Sequence, residues 1–170
     1  MIKKMKSKYE FFWKNKSPFS QWYGEWMGEE YDASFEVLGT KYPTCEHYMM
    51  EQKAYLFDDY DVADQIMESK HPREVKKLGR KVSGFDSQMW EEQCQDIVFE
   101  ANYAKFSQHK ELKELLLSTG DKELVEASPY DRIWGIGFDE KNALKNKDDW
   151  GRNLLGKVLM EVREEIRKEQ

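Results

Sequence analysis

Apolar residues recur along this chain at two spacings, and the longer one dominates. Near the start, "EFFWK" (Glu10 to Lys14) is a short apolar run, and Ala33, Phe35 and Val37 alternate with polar neighbours in "DASFEVLGT". Both patterns predict short strands, with "KNKSPFSQWYGEWMGEE" as the loop between them. After that the helical period takes over. Thr44 is a capping residue for a helix running to about Asp58, Pro72 suits the first turn of a helix ending at Gly79, and Asp86 or Ser87 opens a long one. On the long helix Trp90, Cys94, Ile97, Val98, Ala101 and Ala104 recur at helical spacing. "KELKELLLSTG" repeats the pattern and stops at Gly120, because glycine accepts the left-handed conformation that closes helices. From Trp150 to about Lys168, Leu154, Leu155, Val158, Leu159, Val162 and Ile166 form one stripe. No repeat and no Pro-, Gly- or Ser-rich linker interrupts the chain. The expectation is a mainly α protein: a single orthogonal helical domain over residues 1–170, with its core from about 9 to 167 and a small β hairpin near the N-terminus.

Charge and cysteine content narrow the partners. The 170 residues carry a formal net charge of -6, which argues against a general polyanion-binding surface, since that affinity comes from clustered Lys and Arg. A local basic pocket stays compatible with this balance. Cys45 and Cys94 are too few for a disulfide framework, and the start "MIKKMKSKYEFFWKNK" lacks the apolar core of a signal peptide. A cytoplasmic setting is therefore expected. The longest apolar run is Leu115 to Leu117, far below the ~20 residues that cross a bilayer, so no membrane partner is expected.

The segment "PTCEHYMMEQKA" raises the chemical question. Seven residues at 100° each bring Glu46 and Lys53 within about 20° of each other, roughly 10 Å apart along the axis. They share a face flanked by Met49, Met50 and Phe57, without being able to pair directly. A mundane account exists for each. A first-turn carboxylate gains about 0.3–1 kcal/mol from the helix dipole, and a lysine stem can lie along apolar surface while its head reaches water. Cys45 and His47, two residues apart, point to opposite sides of a helix and form no dyad within themselves. With three histidines and no C-x-x-C or H-x-x-x-H spacing, no metal is expected.

Two more stretches carry candidates. "LVEASPYDRIWGIG" runs from a strand-like start into a loop presenting Asp131 and Trp134, which read either as site residues or as a backbone cap and a core plug. Gly135 and Gly137 make no dinucleotide fingerprint, because the third glycine and the strand-to-helix context are missing. "HPREVKKLGRKV" holds the densest basic run, of which Arg80, next to Gly79, is the candidate for a phosphate oxygen. Most of its lysines read as a solvated face.

Taken in order, "PFSQWY", "YPTCEHYMMEQKA", "LGRKV" followed by "FD" (Phe85 and Asp86) and Trp90, "KFSQH", "LLLSTGDKELVEASPYDRIWGIG" and "NLLGKVLMEVRE" resemble the NADAR superfamily, the YbiA-like proteins, from about Phe11 to Arg167. The resemblance implies a mainly helical fold and an N-glycosidase without cofactor, acting on a ribose C1–N bond. It suggests two substrate classes: ADP-ribosylated guanine bases, presented on nucleic acid or as nucleotides, and phosphoribosylamino-pyrimidine intermediates of riboflavin biosynthesis. It implies catalytic roles for Glu46, Lys53 and Asp131. Substrate contacts would come from Phe19, Tyr23, Arg80, Trp90, Trp134 and Gly135, with the aromatic rings stacking on a base. Lys53 would be a Schiff-base nucleophile. The alternative from another class is a module that binds NAD or ADP-ribose without turning it over. Oligomeric state is not legible.

Overall fold

Each short strand finds a partner that local patterning does not name. The computed structural model describes residues 8–169, so residues 1–7, the start of the segment read for a signal peptide, lie outside the described residues. Strand β1 (Tyr9–Phe12) runs parallel to β4 (Glu123–Glu126), with Tyr9 opposite Glu123. The hairpin is formed instead by β2 (Phe35–Val37) and β3 (Thr40–Tyr42). Leu38 and Gly39 join them at φ 50° and 84°, the doubly positive pair whose twist matches a two-residue hairpin.

The rest is mainly helical, as the periodicity predicts. Helix α1 (Cys45–Leu56) starts at Thr44, whose hydroxyl accepts from the His47 amide. A second helix, α2 (Tyr60–Glu68), follows after a turn in which Asp58 takes φ 56°, and Asp59 caps it by accepting from the Val62 amide. The sequence pattern does not anticipate α2. Helix α3 (Pro72–Gly79) places Pro72 in its first turn, and α4 (Ser87–Gln108) is capped by Asp86, which accepts from Met89 N at 2.7 Å. Then come α5 (Lys110–Ser118), the short α6 (Glu140–Ala143) and α7 (Leu154–Lys168). Trp150 lies ahead of α7, donating its indole N–H to the Ala143 carbonyl and packing edge-on against Tyr9 and Phe11.

The chain gathers into two compact units. One combines the segment up to Ser20 with everything from Lys110 onward; Tyr9, Val125, Ala127, Ile136 and Ala143 cluster in its core, and α7 packs on β4 and α5. The other is Gln21–His109, where Phe35, Tyr42, Cys45, Tyr48, Ala101 and Ala104 form the cluster. In this second unit α1 is central, contacting β3, α2, α3 and α4. Among the described residues, no helix is long and apolar enough to cross a membrane.

Candidate functional site

Because α1 is surrounded, its first two turns have no solvent face. Cys45 through Glu51 are all buried, so polar side chains there must be satisfied internally. His47 shows how: its Nε2 donates to the Ser69 carbonyl at 2.8 Å, and its Nδ1 lies 2.8 Å from the Thr44 hydroxyl. A carbonyl can only accept, so Nε2 carries a proton, and in the neutral ring that burial favours Nδ1 accepts from the Thr44 hydroxyl. Burial accordingly pushes the His47 pKa down. Glu51 accepts from the Tyr42 hydroxyl at 2.6 Å and the Tyr55 hydroxyl at 3.3 Å.

Lys53 sits at the last turn of the same helix and is half-buried. Its Nζ donates to the Gly79 carbonyl at 2.8 Å and lies 4.4 Å from the Phe85 ring centre and 5.5 Å from that of Trp90. Gly79 permits this approach, since a Cβ there would fall on the Met50 thioether. Burial pushes the Lys53 pKa below the usual lysine range, the Arg80 guanidinium adds to that, and Glu46 opposes it. Glu46, with its side chain buried and its amide donating to the Gln21 carbonyl at 3.1 Å, is thus an electrostatic neighbour of the lysine. Four residues singled out from the sequence, Glu46, Lys53, Arg80 and Trp90, come together here, with Arg80 exposed and Trp90 half-buried.

A second lysine escaped the sequence reading. Lys105 on α4 is 1 % exposed, its Nζ 5.4 Å from the Tyr23 ring centre. Burial pushes its pKa down, against a pull from Cys45. Burial also lifts the Cys45 thiol to about 11 despite Lys105, with Glu46 adding to the rise. Cys45 donates to Asn102, whose amide reaches Gln21 at 2.8 Å. The signal was present: 94, 98, 101 and 105 continue the apolar stripe, and lysine stands where a hydrophobe is expected. Phe85, part of the family motif but given no role from the sequence, immediately precedes the Asp86 cap, with Trp90 four residues into the helix, the spacing of a hydrophobic staple.

The remaining candidates lie in the unit containing the chain ends. Phe19 is buried against Phe12, their ring centres 5.5 Å apart, and lines an open cavity of about 680 Å³ with Phe11, Trp13 and Leu115. Asp131 accepts from the Ile133 and Trp134 amides through one oxygen, each at 2.8 Å, the backbone cap foreseen as its mundane role. Trp134 is half-buried, and Gly135 is buried where a Cβ would press on the Glu126 and Asp131 carbonyls. Among the described residues, no group of three or more His, Cys, Asp and Glu could hold a metal ion.

Comparison with known proteins agrees with the arrangement of motifs. The NADAR domain model matches residues 11–167. The chain belongs to the NADAR domain family. Among NADAR relatives, "N-glycosidase R617" of Acanthamoeba polyphaga mimivirus is 44 % identical over 154 residues, covering 86 % of each chain. "N-glycosidase YbiA" of Shigella flexneri serotype 5b is 36 % identical over 131 residues, 77 % of this chain and 74 % of that one. The NADAR fold is seen again in the NMR structure of E. coli YbiA, at TM-score 0.73 and 30 % identity, covering 96 % of this chain and 87 % of that one.

Proposed function

We propose that this protein is an N-glycosidase that hydrolyses a ribose C1–N bond, with Lys53 as nucleophile and Glu46 as general acid and base. The observation that carries the reading is the state of Lys53: a half-buried amine, pushed toward neutrality by burial and by Arg80, on the same helix as a buried carboxylate that acts on it electrostatically. A neutral amine is what a Schiff-base nucleophile needs near pH 7. Related chains named N-glycosidase support the reaction class.

The steps follow from these groups. The ring C1–O bond opens as Glu46 gives a proton to the ring oxygen, leaving C1 doubly bonded to the base nitrogen. The lysine lone pair adds to C1, the amine's proton passes to Glu46, and the bond from C1 to the base nitrogen breaks as Glu46 delivers that proton to the nitrogen. Water then adds to the C=N bond, Glu46 takes up the proton, and the amine returns as the sugar aldehyde leaves. Arg80 is the candidate partner for substrate phosphate, and Trp90 offers a face for the base. The substrates considered are ADP-ribosylated guanine and phosphoribosylamino-pyrimidines; both present C1 bonded to a base nitrogen. A module that only binds ADP-ribose gains nothing from a lysine whose pKa burial pushes down.

Incubation with each substrate class, followed by base release with and without borohydride, tests the proposal. Turnover should trap a reduced adduct on Lys53, and Lys53→Arg should abolish adduct and activity together. An active Lys53→Arg variant, or an active wild type that never traps, replaces the covalent route with direct hydrolysis.

A further inference from the structure

Among the described residues, Phe85 is one of the few large apolar side chains left open to solvent, at 47 % exposure, yet its surroundings hold it in place. Its ring meets Phe57 edge-on, with centres 5.3 Å apart. The loop carrying it is pegged on both sides. Ser83 donates its amide and hydroxyl to Asp59 at 2.8 and 2.9 Å, and Asp86 caps α4 at 2.7 Å. Between the pegs Gly84 turns at φ 66°. A staple residue need only touch the helix it introduces. Phe85 instead presents a face to the Lys53 ammonium at 4.4 Å, closer than Trp90 at 5.5 Å.

A cation held over an aromatic face stabilises the protonated amine. At rest, therefore, Phe85 works against the neutrality that nucleophilic attack requires. A planar nucleobase stacked on the same ring would compete with the ammonium for it. Resting on the N-glycosidase reading, we infer that Phe85 is the residue that grips the substrate's base, and that stacking of the base on its ring withdraws the cation–π contact from Lys53 and so frees the amine only when substrate is bound. The charged groups acting on Lys53 are Arg80, just past α3, and Glu46 on its own helix, while α4 contributes the uncharged Trp90 face. Neither of those charges is displaced by a stacking base, whereas the aromatic contacts are, and of these Phe85 is the nearer to Lys53.

Phe85→Leu keeps an apolar staple without a π face, and Phe85→Tyr keeps the face. Equilibrium binding of guanosine and of a triaminopyrimidine, neither of which needs cleavage, reads the stacking directly. Phe85→Leu should bind at least one of them about tenfold or more weakly, as expected for losing a base–aromatic stack, and Phe85→Tyr should bind like wild type. In the cleavage assay, the acid limb of the kcat/KM against pH profile should move to lower pH in Phe85→Leu and stay in place in Phe85→Tyr. Equal affinity of Phe85→Leu and wild type for both probes, or no binding of either by wild type, overturns the inference and leaves Phe85 a staple. Absence of base release by wild type counts against the N-glycosidase reading alone, because the binding measurement still decides the role of Phe85.

Discussion

At the scale of single residues, the same side-chain chemistry is used in opposite ways within one unit. Lys53 and Lys105 are both pushed below the ordinary lysine range by burial, but Lys53 is half-buried with an open aromatic beside it, whereas Lys105 is 1 % exposed. Access, rather than basicity, separates the two: Lys53 can meet a substrate and Lys105 cannot. Glu46 is the other residue whose chemistry is exposed to test. Glu46→Gln retains the shape and the helix position while removing the proton carrier, so base release should fall by at least about two orders of magnitude with the melting temperature little changed. Near-normal turnover in the folded variant would return Glu46 to the dipole role of a first-turn carboxylate.

Elements are positioned chiefly by their caps. Thr44 performs two tasks, accepting from the His47 amide at 3.3 Å to start α1 and lying 2.8 Å from His47 Nδ1. Thr44→Ala removes a cap worth about 1 kcal/mol and strands a buried ring nitrogen, which adds about 1–3 kcal/mol. A fall of about 2–4 kcal/mol in urea-unfolding stability is therefore expected, with Thr44→Ser restoring most of it. An Ala variant as stable as wild type would mean that α1 is held by its packing alone. The caps at Thr44 and Asp86 and the first-turn Pro72 were legible in the sequence because each acts over two or three residues, whereas the cap of α3, His71, was not named. Helix α2 was not, since the pattern runs smoothly into it and the break depends on Asp58 adopting φ 56°.

The whole molecule inherits a pH dependence from α1. Because the fold lowers the His47 pKa, the native state prefers the neutral ring; this stability is fully present above the unfolded value of about 6.5 and is lost as pH falls below it. Between about pH 6.5 and 5, unfolding free energy should decline by up to about 1.4 kcal/mol per pH unit for this one proton. Urea midpoints measured across that window should show the slope in wild type and a flatter one in His47→Gln; identical slopes would assign it elsewhere. By itself the sequence determined the helical class, the starts of α1, α3 and α4, the family motifs, and the placing of Glu46 and Lys53 on one helix face, all of which depend on neighbours within a few turns. Only the tertiary structure decided that β1 pairs with β4, that the first two turns of α1 are enclosed, that Lys105 is interior, and that Phe85 lies beside Lys53. Those outcomes join residues distant in the chain. Their free energy comes from burial and strand pairing that exist only once the elements have packed.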